Sequence, residues 1–156
     1  MKILSIISLI GIPFIVLACC SSKKNEVQPL IKGSPYLGMS IIAGTAGGFS
    51  GISTGIKVNY SGECYNWSRR FSKEDALFAF KATPDSIEAL FQQVGQLHID
   101  TLTLHTAANV VNFLEVRKDS TVYQINWNPS DTTVPTAIRN LYSAVQLFPE
   151  LNMKNK

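Results

Sequence analysis

The chain has 156 residues, 46% of them apolar and only 16% charged, with 14 Lys and Arg against 11 Asp and Glu. Low charge and a mean hydropathy of +0.11 exclude a disordered chain, and the lack of long like-charge runs removes the electrostatic warrant for a nucleic-acid partner. The length suits one domain plus an apolar accessory segment.

Met1-Lys2 is a short positive start and Ile3 to Leu17 is almost wholly apolar, which is the pattern of a signal peptide over residues 1–18. About 15 residues at ~1.5 Å each fall short of a ~30 Å hydrocarbon core, and Gly11 and Pro13 weaken a spanning helix further. Val16-Leu17-Ala18-Cys19 resembles the lipobox of bacterial lipoproteins. That resemblance implies cleavage after Ala18 and acylation of Cys19, palmitate included, so that the mature N-terminus holds the protein on a membrane. Taking Cys20 as the acceptor would put Cys19 where a small residue is required, so Cys19 is preferred; the competing reading is an ordinary signal peptide with no acylation. Residues 19–37, rich in Ser, Lys, Pro and Gly without an apolar period, read as a flexible tether. Residues 38–150 then form the domain and 151–156 a tail. From Gly44 to Pro149 there are eight basic and nine acidic residues, so the domain is near neutral and the positive excess is terminal.

Met39 to Ala43 reads as a first strand, closed by the glycine-dense run Gly44 to Gly48. Ile56, Val58 and Tyr60 alternate with polar residues and predict a strand. Ser61-Gly62 is a plausible two-residue turn, placing Val58 opposite Tyr65 and Ile56 opposite Trp67. Phe71 to Ala82 is ambiguous, because Ser72-Lys73-Glu74-Asp75 looks like a helix start while Leu77 to Phe80 suits a strand. Pro84, Asp85 and the stripe Ile87, Leu90, Phe91, Val94, Leu97 predict a helix over residues 84–96. Val110 to Arg117 and Val122 to Trp127 predict a second hairpin with Leu114, Val116, Tyr123, Ile125 and Trp127 on one face and Glu115, Arg117, Gln124 and Asn126 on the other. Pro135 opens a last helix with Ile138, Leu141, Tyr142, Val145 and Phe148 as its stripe. The expected class is α+β: a two-layer fold with an antiparallel sheet of about five strands and two helices on one face, in the order β-ββ-α-ββ-α.

Reactive groups are few. His98, His105, Asp100 and Cys64 lack metal-ligand spacing, and Cys64 paired with either histidine requires the fold to bring them together. No catalytic residue, metal or cofactor is therefore expected. Gly44, Gly47, Gly48 and Gly51 lie between strands, so a bend with positive φ is the simplest reading, and a backbone-exposed surface open to a partner is the functional one.

Gly47-Gly48-Phe49-Ser50-Gly51, preceded by an apolar strand and followed by a strand, a helix, two strands and a C-terminal helix, resembles the G-G-F-[AST]-G start of emfourin-type inhibitors of thermolysin-like metalloproteases. It is also similar to a group of Bacteroidota lipoproteins with that start and a later strand ending in Trp, here Ile125-Asn126-Trp127. Those lipoproteins often carry Pro-Gly-Asn before the fourth strand, where this chain has Ala107-Ala108-Asn109. Asp100-Thr101-Leu102, Asp119-Ser120-Thr121 and Asp131-Thr132-Thr133 resemble the O-glycosylation acceptor of the same lineage, which implies modification at Thr101, Ser120 or Thr132; Asp85-Ser86-Ile87 carries the same pattern in a helix first turn. The expected function is a lipid-anchored, non-enzymatic binding module of the cell envelope, on the outer membrane facing the periplasm. Gly47 to Gly51 would contact an envelope protein, in the sharpest form a protease. An envelope enzyme using Cys64 with a histidine, or a histidine-based metal site, is the alternative; a structural subunit of an outer-membrane complex is another.

Overall fold

Runs of alternating polarity pair into one antiparallel sheet, in a computed structural model that describes residues 33–49 and 51–153. The expected signal peptide, Cys19, most of the tether, Ser50 and residues 154–156 lie outside the described residues. The elements are β1 (Met39–Gly47), β2 (Ile52–Asn59), β3 (Glu63–Arg70), β4 (Lys73–Lys81), α1 (Pro84–Gln96), a short 3-10 turn (Ile99–Thr101), β5 (Val110–Lys118), β6 (Thr121–Trp127) and α2 (Thr136–Met153). The strand order is β4-β3-β2-β1-β5-β6, with β1 central. The α+β class holds, with six strands rather than five.

The added strand is β4. Its helix-start signal loses to pairing with β3, where Phe78 meets Tyr65 edge-on and Phe80 lies opposite Cys64. A bulge at this point shifts the β3–β4 register between Cys64 and Tyr65. The β2–β3 hairpin also differs from expectation. Tyr60, Ser61 and Gly62 form a three-residue loop, so Val58 faces Cys64 and Ile56 faces Asn66. Tyr60 lies in this loop with its N–H still bonded to the Met39 carbonyl at 2.9 Å, its ring packs against Phe91 and its hydroxyl donates to Glu88 at 2.6 Å, and Gly62, at φ +93°, completes the turn. A slip of one residue exchanges faces, which is why Trp67 lies away from the helices. The β5–β6 hairpin has the expected register, Arg117 opposite Val122, and Lys118–Thr121 pairing tightens its turn to Asp119-Ser120.

Both helices cover one face. α1 starts at the expected residue, capped by Thr83, whose hydroxyl accepts from the Ser86 N–H. Ile87, Leu90, Phe91 and Val94 of α1 and Ile138, Leu141, Val145 and Phe148 of α2 meet Ile41, Val58, Leu114 and Ile125 in the main core. Tyr36, within the sequence expected as tether, packs on Tyr60 and Phe91 beside Gly95. α2 continues through Pro149 to Met153, into the expected tail.

The other face carries a second, smaller cluster of Ile42, Trp67 and Phe113. Trp67 and Phe113 stand on strands separated by two others, yet their rings lie 5.8 Å apart. Between them Gly55 and Gly44 face each other in the same row, so no side chain blocks the approach. Arg117 of β5 likewise bonds Glu74 of β4 across three intervening strands, four steps or about 19 Å in a flat sheet. The sheet therefore curls toward this face. Within the curl Glu115 is 0% exposed, accepting from Arg69 at 3.3 Å and from the Arg117 Nε. Glu115 and Arg117 share the expected face, and the curl buries Glu115 there.

Candidate functional site

Strand direction puts the β1–β2 tip, the β3–β4 tip, the segment leading into β5 and the segment leaving β6 at one end of the sheet. The β1–β2 tip holds the glycine motif. Gly47, Gly48 and Gly51 all have positive φ, at +105°, +74° and +60°, as the sequence reading of a bend requires. Gly44 instead sits inside β1, where a Cβ would meet the Thr54 carbonyl. Gly48 donates its N–H to the Asn109 carbonyl at 2.6 Å, and a Cβ on Gly47 would strike that same carbonyl. The tip and the Ala107-Ala108-Asn109 segment thus form one assembly, pinned through Asn109. Phe49 projects from it, fully exposed.

The neighbouring β3–β4 tip lies beside it, because Ile52 at the start of β2 pairs with Arg70 at the end of β3. Phe71 occupies the turn, 83% exposed and at φ +54°. In sequence Phe71 opens the segment that is ambiguous between helix and strand. The signal was present in Arg69-Arg70-Phe71-Ser72-Lys73, an aromatic set among cations, but it becomes readable only once β4 is known to be a strand.

The ion network behind the tips is self-contained. Glu74 accepts from both terminal nitrogens of Arg117, and Arg69 lies 4.0 Å from Glu74. The Arg117 hydrogen bond holds the Glu74 carboxyl below its ordinary value. The buried Trp67 indole N–H lies outside hydrogen-bond geometry toward Glu74, close enough to add to that lowering.

The groups considered for chemistry are dispersed. Cys64 is fully buried, its thiol donates to the Gly62 carbonyl at 3.6 Å, and burial pushes it up to about 12. At neutral pH only on the order of 10⁻⁵ of it is thiolate, the form a nucleophile needs. His98 sits after α1 at φ +45°, beside a cavity of about 170 Å³ that Asp100, Lys118 and Tyr123 also line. His105 pairs with Asn126 on the edge of β6 instead, at the tip end. No group of three or more His, Cys, Asp or Glu converges among the described residues.

Ser120 and Thr132 are exposed on turns, and Thr101 is exposed in the 3-10 turn with its hydroxyl donating to the His98 carbonyl at 2.8 Å. Asp131 accepts from the Thr133 hydroxyl at 2.6 Å, which lowers its carboxyl. Among the described residues no helix is long and apolar enough to cross a membrane. No family model and no curated protein matches this sequence.

Proposed function

We propose that this protein is a lipid-anchored, non-enzymatic binding module of the cell envelope, held through Cys19 on the outer membrane and facing the periplasm. The Val16-Leu17-Ala18-Cys19 run supports the anchor, and Cys20 stands after it where an Asp would favour inner-membrane retention. The observation that carries the binding role is the glycine tip: Gly47, Gly48 and Gly51 present bare backbone and an exposed Phe49 on a tip fastened by Asn109. A partner can approach such backbone closely, and one exposed aromatic on a fixed loop is an anchor for a protein cleft.

The resemblance to emfourin-type inhibitors makes a thermolysin-like protease the partner to test. Progress curves of such a protease slow at micromolar concentrations of the protein, and Phe49→Ser removes the slowing; unchanged curves would eliminate the inhibitor form. The anchor is tested separately. Wild-type protein partitions with membranes and carries acyl mass on Cys19, whereas Cys19→Ser is released; equal partitioning of both would remove the lipid. Thr101, Ser120 and Thr132 are the proposed O-glycan acceptors, readable in the mass of protein from its native host.

A further inference from the structure

Phe71 departs from two rules at once. A bulky side chain at φ +54° is strained where glycine is not, and a phenylalanine 83% exposed gains little from folding. The two-residue β3–β4 turn, closed by Arg70 opposite Lys73, requires a positive φ at this position, which glycine would supply without strain, and the described contact of the Phe71 ring is the Arg70 guanidinium, 5.8 Å from its centroid. Strain maintained at an exposed aromatic points to a contact outside the chain. Phe49, fully exposed, stands on the adjacent tip, so two aromatic rings crown one end of the sheet.

The charge at this end identifies the surface they fit. Arg70 and Lys73 flank Phe71, and neither has an acidic partner among the described residues. Nearby acids are engaged: Glu74 with Arg117, Glu115 with Arg69 and Arg117, and Asp131 with Thr133. Asp75 is the exception, and it lies on the other face of β4 from Glu74. A protein cleft would take Phe49 alone, whereas two convex aromatic tips beside Arg70 and Lys73 can enter a soft, anionic surface together. We infer that the Phe49 and Phe71 tips dock into an anionic phospholipid bilayer, both rings entering at the headgroup–acyl boundary and Arg70 and Lys73 meeting lipid phosphates. This docking does not depend on acylation at Cys19. It covers the glycine tip, so lipid and a protein partner compete for the same end.

The test uses the full chain with Phe71→Trp as a local reporter; native Trp67 and Trp127 are buried and provide a constant background. The probe is vesicles of phosphatidylethanolamine and phosphatidylglycerol with brominated acyl chains. Phe71→Trp emission shifts to the blue and is quenched, whereas Val122→Trp, exposed on β6 toward the far end of the sheet, is not. With Phe49→Trp as reporter, Phe71→Gly weakens the apparent lipid affinity about tenfold while thermal stability stays equal or rises. Identical Phe71→Trp spectra with and without vesicles, or equal quenching at Val122→Trp, overturns the proposal. Equal quenching on phosphatidylcholine alone overturns the role of Arg70 and Lys73.

Discussion

At the scale of single residues, the smallest side chains decide how the sheet is built. Ala76, Trp67, Gly55, Gly44 and Phe113 lie in one row across five strands. The two glycines leave space over β1 and β2 that the Trp67 and Phe113 rings enter from either side, shielding backbone that would otherwise be bare. A methyl group at Gly44 would meet the Thr54 carbonyl and the Gly55 backbone, both parts of a rigid ladder. Gly44→Ala therefore forces β1 and β2 apart and costs about 1 to 3 kcal/mol. Thermal denaturation reads this as a Tm lowered by roughly 5 to 15 °C; an unchanged Tm would mean the strands separate freely.

Between elements, the four charges of Arg69, Glu74, Glu115 and Arg117 tie β3, β4 and β5 across the curl. Buried ion pairs bring little net stability over apolar packing, but removing one member leaves its partner uncompensated. The pH dependence follows from Glu74. Its folded value is lowered by Arg117, so the unfolded chain binds the proton more readily. The stabilisation is complete above the ordinary carboxylate value of about 4.5 and is lost as pH falls through the lowered folded value. Between pH 7 and pH 3 the wild-type Tm should fall more steeply than that of Glu74→Gln. Asp131 and Glu63, also lowered, remain in both proteins, so the difference between the two curves isolates Glu74. Parallel curves would show that the network does not contribute.

For the whole molecule, one sheet serves two apolar clusters, and each contains one tryptophan about 2% exposed: Trp127 under the helices and Trp67 within the curl. β1, β3 and β5 supply side chains to both clusters, so neither can open without breaking shared ladders. Trp67→Phe and Trp127→Phe leave one reporter each, and urea unfolding followed by either should give the same fractional transition once each variant is compared with its own circular dichroism. An earlier loss of the Trp67 signal would make the curled face a separate unit. This arrangement also separates the two ends. The chain enters β1 at Met39, and the aromatic tips stand eight residues away along that strand, about 25 to 30 Å.

The glycine tip was legible because four closely spaced glycines between apolar runs have few other uses. Both helices, their buried stripes and the β5–β6 register were legible for a related reason: a 3.6-residue stripe, or a period-2 pattern with one clean face, is local information carried by consecutive residues. The rest depends on partners distant in sequence. β4 is a strand because β3 offers it a ladder, and Trp67 changes face because Tyr60 falls in the hairpin loop, its ring against Phe91 and its hydroxyl on Glu88. Glu115 is buried because the curl brings two arginines to it, and Phe71 joins Phe49 because two separate hairpins end side by side. Local periodicity sets which elements form and which faces are apolar; strand pairing and sheet curl, whose contacts reach from Met39 to Lys118 in sequence, decide what those faces meet.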